Sequence, residues 1–295
     1  MKPKNKLSIV ILGLLAVALT TGMNGGCGGK EYISTTYYYP NWMPDGRVIA
    51  VKGEIKQTQG AWGPVMSSTK VYMAAMDADG ENEANLFELD DIVEEVTCSP
   101  TGEMIAYIFY NDLYVADYEG NSKTKIIDAD YSNRVEYLDW SPDATKIVYS
   151  TGERKMCTVN IDGSGTLEVA SSAEAVAWRV GDKIVYTPST IGFNVCNSDG
   201  TGLYMLASSE GDYKDTGNDH QITNNGKVIY RGGNWSVLSI KLDGTSAEQL
   251  FIDYERSTLK LSFDNTKIVG GDLDQSDIVG IWVINTDGTN ANKLR

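Results

Sequence analysis

One turn recurs along this chain with a period near 40 residues. Six apolar segments end in it: VYMAAMDADG, LYVADYEG, CTVNIDG, FNVCNSDG, LSIKLDG and IWVINTDG. Their closing glycines are Gly80, Gly120, Gly163, Gly200, Gly244 and Gly288, spaced 40, 43, 37, 44 and 44 residues apart. A self-similar period of this length marks a repeat architecture in which each unit buries its apolar surface on its neighbours.

A second signature precedes each of these turns. NWMPDGRVIAV starts at Asn41, TCSPTGEMIAY at Thr97, DWSPDATKIVYS at Asp139, AWRVGDKIVYT at Ala177, QITNNGKVIYR at Gln221 and LSFDNTKIVGG at Leu261. Each reads as a bulky residue, a tight turn and a short apolar strand. Proline pre-sets the backbone of the first central turn position, and Asp, Asn and Gly suit the positions after it. Asp-Gly between apolar strands is a hairpin signal, because glycine adopts positive φ without a clash. Pro142 and Asp143 therefore form a structural corner, with no copy-specific chemistry. The third strands, such as Met156–Ile161 and Ile281–Ile284, are apolar on both faces. A one-sided sheet would alternate, so these strands are expected to be covered on both sides. Four such strands per repeat predict an all-β fold, a six-bladed β-propeller of four-stranded antiparallel blades. Trp42, Cys98 and Trp140 fall at one equivalent position, as do Gln221 and Leu261, with Trp178 within a residue of it. A position that accepts such different shapes is a packing position and not a ligand cage.

The stretch WSPDATKIVYS…CTVNIDGSG resembles the repeat of TolB-type propellers and, more distantly, the propeller of prolyl oligopeptidases. The resemblance spans about Tyr37 to Arg295 and implies six blades. It speaks to fold far more than to function, since one fold carries many sites. TolB proper has a further N-terminal α/β domain, for which the residues before Tyr37 are too few. The organisation read from the sequence is a signal segment over 1–26, a tether and possible closing strand over 27–38, and the propeller over 39–295. The strand-like EYISTTYYY, Glu31 to Tyr39, either pairs with the last blade or starts the first.

The signal segment has three parts. Lys2, Lys4 and Lys6 form a basic start, LSIVILGLLAVAL an apolar run too short for a membrane span, and TTGMNGGC a small and polar end. Cys27 after Gly25 and Gly26 resembles the lipobox of bacterial lipoproteins, although Asn24 stands where that family prefers Leu. The resemblance implies lipid attachment at Cys27, a membrane anchor and a cell-envelope address. Gly28 resembles the outer-membrane sorting signal of bacteria with two membranes. The alternative is ordinary cleavage nearby, leaving a free thiol. The formal net charge is −15, and loss of 1–26 makes it three units more negative. Outside the first residues no Lys/Arg cluster offsets it, so nucleic acid is excluded as an expected partner. Three cysteines remain, Cys98, Cys157 and Cys196, each in an apolar strand pattern. They read as buried thiols, with a Cys157–Cys196 bridge as the alternative.

Strand order puts the corners after the first and third strands on one face, and the connections after the second and fourth on the other. On that second face the sequence predicts three long loops, Lys52–Lys70, Ala207–His220 and Gly270–Gly280. Long loops on a rigid scaffold carry function. Trp62 is the strongest partner-binding candidate; its alternative is to fold back over the propeller rim. Tyr213, His220 and Trp235 complete the set, Trp235 reading also as the start of a third strand. His220 is the chain's one histidine, which excludes a histidine-rich metal site, and it reads as a hydrogen-bonding loop residue. Asp272, Asp274 and Asp277 are weak calcium candidates, since they lack the order of a known calcium loop. No G-x-S-x-G elbow, P-loop or dinucleotide fingerprint is present. No cofactor is expected, and the chain is expected to be a monomer. The leading functional expectation is a non-enzymatic, lipid-anchored envelope propeller that binds a protein or glycan partner through its long-loop face. The alternatives are a polysaccharide lyase or hydrolase working in the propeller funnel, and a purely structural module.

Overall fold

The computed structural model describes residues 31–60, 63–91, 93–188, 192–206, 220–232, 236–252, 259–274 and 277–294. They form six four-stranded antiparallel sheets. Blade one is β1 (Glu31–Trp42), β2 (Val48–Gly60), β3 (Gly63–Met76) and β4 (Ala84–Leu89). Blade two is β5 (Glu95–Cys98), β6 (Met104–Phe109), β7 (Asp112–Asp117) and β8 (Thr124–Ile127). Blade three is β9 (Val135–Trp140), β10 (Lys146–Thr151), β11 (Lys155–Asn160) and β12 (Leu167–Ser171). Blade four is β13 (Ala173–Val180), β14 (Lys183–Pro188), β15 (Phe193–Asn197) and β16 (Tyr204–Leu206). Blade five is β17 (His220–Ile222), β18 (Lys227–Arg231), β19 (Ser236–Lys241) and β20 (Glu248–Ile252). Blade six is β21 (Lys260–Leu261), β22 (Lys267–Asp274), β23 (Asp277–Asn285) and β24 (Asn292–Lys293).

The chain divides into two compact units. The propeller unit comprises 36–53 and 70–295, and the other comprises 1–35 and 54–69. The described part of the second is strand, residues 31–35 of β1 and the parts of β2 and β3 that fall within 54–69, with Lys56 paired to Glu31 at 2.8 Å. This corrects the expectation of an irregular loop at Lys52–Lys70. Strand pairing uses the backbone, so a polar stretch can form strand as well as an apolar one. The third expected loop, Gly270–Gly280, is likewise mostly strand. Asp274 stands opposite Asp277 in the β22–β23 register. Of the second loop, 207–219 lies outside the described residues.

The propeller core is a ring of six apolar clusters, one per blade interface. Met43, Ile49 and Met73 of blade one meet Val96, Ile105 and Tyr107 of blade two. Ile108 and Val115 meet Leu138 and Ile147, and Val148 and Met156 meet Trp178 and Ile184. Val185 and Phe193 meet Val228 and Tyr230, and Ile229 and Val237 meet Ile268 and Ile284. The ring closes where Trp42, Val48 and Met76 of blade one pack on Val269, Ile281 and Val283 of blade six. Closure is therefore by side-chain packing. Glu31–Trp42 forms the first strand of blade one, and all four strands of blade six come from the C-terminal segment.

Hydrogen bonds tie the inner strands across the interfaces. Trp42 Nε1 donates to the Lys260 carbonyl of blade six at 2.9 Å, and Trp140 Nε1 to the Thr97 carbonyl of blade two at 3.3 Å. Each tryptophan thus reaches the preceding blade. The residue before it reaches the following one. Asn41 Nδ2 donates to the Val96 carbonyl, and Asp139 Oδ2 accepts from the Trp178 backbone N–H. Trp42 and Trp140 are 1% exposed, so the reading of this position as packing holds.

The repeating corners are built as the sequence indicates. Asp143 Oδ1 accepts from Ser141 Oγ and from the Thr145 N–H and hydroxyl, and Ala144 follows with φ +58°. Asp264 repeats this with Ser262 and Thr266. The six turn glycines have φ between +72° and +87°. Most also lean on the outermost strand of the preceding blade. A Cβ on Gly163 would lie 3.1 Å from the Ile126 carbonyl of β8, and one on Gly200 would lie 2.7 Å from the Val169 carbonyl of β12. At Gly244 a Cβ would meet nothing within 4 Å. The glycine therefore supplies both a left-handed backbone and a close approach at Gly200, and only the backbone at Gly244.

Cys98, Cys157 and Cys196 are free and buried, and Cys157 and Cys196 lie in different interface clusters, so the bridge is not formed. Burial pushes the Cys98 thiol up to about 12 and the Cys196 thiol up to about 11.

Two outcomes are expected. In urea unfolding, Gly244→Ala should cost about 1–2 kcal/mol for its left-handed backbone, and Gly200→Ala clearly more. Equal losses would contradict the close approach. The three propeller thiols should resist a water-soluble disulfide reagent at neutral pH until denaturant is added; labelling at the native rate of a free thiol would contradict their burial.

Candidate functional site

Among the described residues the central channel opens where the inner strands begin. This is the face of the connections that follow second and fourth strands. There a cavity of about 690 Å³ opens, lined by Tyr39, Glu94, Glu95, Arg134, Glu136, Tyr137, Arg154, Glu174 and Lys260 among others. Toward the other face the channel narrows to about 30 Å³ between Trp140, Trp178, Arg179 and Phe263. Arg179 helps close it: Nη1 donates to the Leu261 carbonyl at 3.0 Å, and the guanidinium lies 4.3 Å from the Phe263 ring centroid. Asp139 sits beside it. Burial raises its carboxyl, opposed by the N–H of Trp178 and by the charges of Arg179 and Lys260.

The repeat places the cavity's carboxylates. Glu94, Glu136 and Glu174 each stand four residues before the packing residue of their blade, Cys98, Trp140 and Trp178. Three consecutive blades therefore present a glutamate at one height of the channel mouth. The cations answer them. Arg134 Nη2 lies 2.5 Å from Glu136 Oε1, and Arg154 Nη1 lies 3.5 Å from Glu174 Oε1. Lys260 Nζ lies 2.8 Å from Glu95 Oε1, with both side chains largely buried. Glu94 has no ion-pair partner within 4.0 Å among the described residues. Burial raises its carboxyl, while the Asn111 backbone N–H and the charge of Arg134 lower it. Tyr39 is raised by burial and then by Glu94 and Glu95.

Backbone geometry holds this wall. Tyr39 and Arg154 have φ of +51° and +62°. Non-glycine residues take this conformation at a cost of about 1 kcal/mol or more, and it recurs where the surrounding structure must aim a side chain. Gly152 lies directly under Arg134: an added Cβ would fall 2.8 Å from Nη1. The Arg134 guanidinium also stacks 5.4 Å from the Tyr131 ring centroid.

No protein-family model matches the chain, and no curated protein matches it in sequence. Solved structures do. TolB from Acinetobacter baumannii aligns with a TM-score of 0.61 at 9% identity, over 88% of this chain and 78% of that one. The fold is that of a TolB-like β-propeller. An oligogalacturonate lyase in complex with manganese aligns equally well, with a TM-score of 0.61 at 12% identity over 88% and 78%. A second oligogalacturonate lyase, from Vibrio parahaemolyticus, aligns with a TM-score of 0.56 at 12% identity over 88% and 77%. At such identities the likeness concerns the fold alone.

On this TolB-like propeller the residues singled out from sequence are scattered. Cys27, Trp62, Tyr213 and Trp235 lie outside the described residues. Asp272 and Asp274 lie on β22 and Asp277 on β23, with side chains outside the described set. His220 is not a loop residue. It opens β17, is 2% exposed, and packs against Phe193 with its Nε2 3.0 Å from the Val185 carbonyl. That contact puts the proton on Nε2, and burial lowers the imidazole from 6.5 to about 4. A bulky neighbour and a backbone acceptor in the blade four–five interface drew it inward, so it does not reach the cavity. No group of three or more His, Cys, Asp or Glu among the described residues is arranged to hold a metal ion. The described residues therefore do not fit a manganese centre.

The depressed imidazole sets a pH dependence. A group lowered on folding contributes stability that is present above its unfolded value near 6.5 and is lost as pH falls toward 4. His220→Leu should remove up to about 1.4 kcal/mol per pH unit of the slope of unfolding free energy between pH 6.5 and 4.5. An unchanged slope would mean that the imidazole is protonated in the folded chain.

Proposed function

We propose that this protein is an exported, lipid-anchored propeller of the bacterial cell envelope that binds a partner without turning it over. The observation that carries the reading is the cavity at the channel mouth, walled by ion pairs on one rigid ring. Side chains held by ion pairs, by left-handed backbone at Tyr39 and Arg154 and by close contact at Gly152 are preorganised for recognition. Preorganised polar groups in a concave site lower the cost of ordering on binding. The partner class is an envelope protein or glycan, and the N-terminal signal with Cys27 supplies the membrane address.

A second reading has one observation in its favour, the likeness to two oligogalacturonate lyases. Lyase chemistry needs a base to take a proton and a group to stabilise the charge that develops. In the cavity Glu94 is the carboxylate left over from the ion pairs, whereas His220 faces the core. Incubation with galacturonate oligomers, with and without manganese or calcium, decides between the readings: reproducible turnover overturns the binding view.

The binding view is tested by cross-linking pull-down from solubilised envelope. The protein should capture a band that Arg154→Glu loses and Glu119→Gln retains, since Glu119 lies on a turn of the other face. Radiolabelled palmitate should enter the wild type and not Cys27→Ser. A band captured equally by all variants would remove the cavity from the interaction.

A further inference from the structure

The ion pairs of the cavity say which charge its ligand carries. Each of the three cations that line it among the described residues already faces a carboxylate: Lys260 with Glu95, Arg134 with Glu136 and Arg154 with Glu174. Arg134 is further engaged by the Tyr131 carbonyl at 3.4 Å and by the Tyr131 ring. An anionic ligand would have to draw a cation away from a carboxylate and leave that carboxylate facing both the ligand and its neighbours. Glu94 is the remaining charge. Glu94 lines the cavity, its carboxylate accepting from the Asn111 backbone N–H and feeling the charge of Arg134 without an ion pair, and the Tyr39 hydroxyl shares the negative field of Glu94 and Glu95. Among the described residues the cavity therefore has four carboxylates to three cations, on a chain of net charge −15.

We propose, resting on the binding function above, that the cavity receives a basic side chain, lysine or arginine, presented by a protein partner. The ammonium or guanidinium group meets Glu94 and the Tyr39 hydroxyl oxygen, while the three existing ion pairs stay intact as the wall. An organic cation fits better than a metal ion, because the carboxylates are spread over three blades and those of Glu95, Glu136 and Glu174 are held by their own cations. A basic side chain reaches in on a flexible apolar stem, which the walls of Tyr39, Pro40, Val135 and Tyr137 cover. The acidic surface as a whole accelerates the approach of such a partner, and the local charge selects it.

The test is isothermal titration of the full mature chain with an acetylated, amidated pentalysine peptide at low ionic strength. Pentaaspartate, a galacturonate trimer and a chitin trimer serve as the other probes. Glu94→Gln should weaken pentalysine binding about tenfold, the loss expected for one partly exposed charge contact. Glu119→Gln makes the same change of net charge away from the cavity and should leave binding within about twofold. Both variants should keep the wild-type melting temperature. Equal weakening by the two variants, or none by Glu94→Gln, overturns the proposal, because the attraction would then belong to the whole surface. Tighter binding of the galacturonate or chitin trimer than of pentalysine also overturns it, in favour of a glycan. These outcomes are separable from failure of the binding function itself. A partner captured through Arg154 in the envelope pull-down, with no effect of Glu94→Gln, sinks the basic side chain and leaves the binding module standing.

Discussion

Burial between blades is what everything else in this molecule depends on. Each blade presents apolar side chains on both faces, so each needs a neighbour on either side. Val148 and Met156 point to blade four while Ile147 and Cys157, one residue along on the same strands, point to blade two. Fully burying a side chain of this size contributes about 1.5–3 kcal/mol, and that gain exists only when the ring is complete. The same requirement explains the seam. Blades one and six must cover each other, and Trp42 with its bond to the Lys260 carbonyl does so without exchanging a strand.

A closed ring of this kind creates a channel that has to be filled or functional. At one end it is filled. Trp140, Trp178, Arg179 and Phe263 leave room for little more than a water molecule. At the other end the inner strands carry glutamates where a core residue would otherwise stand. Charges so close to the axis are tolerable because each is matched across a blade or within one, apart from Glu94. The ion pair between Lys260 and Glu95 spans blades six and two, so it also fixes the geometry of the mouth. The site and the ring are in this sense one structure.

Much of the fold was legible in the sequence because its determinants are local and repeated. Asp-Gly turns, the Pro142–Asp143 corner and strands apolar on both faces each state their geometry within a few residues. The extent of strand was less legible. Lys52–Lys70 and the region around Asp272 read as loops because they are polar, whereas backbone pairing carries them as strands. The site was largely hidden. Aromatic residues in variable connections carry the more visible signal in the sequence, whereas His220 is a core residue. The glutamates that line the cavity lie in inner strands or, for Glu94, directly before one, where nothing nearby marks them as facing a channel. Their signal was present only in the comparison of repeats: Glu94, Glu136 and Glu174 share one position relative to Cys98, Trp140 and Trp178.

Within β1 one short stretch of backbone joins Tyr39 at the cavity wall to Trp42 at the seam. A displacement of that backbone at Tyr39 would therefore reach the ring's closing joint at Trp42 before it reached any other blade. The shape of the cavity wall and the fit of the seam are thus set by one and the same strand.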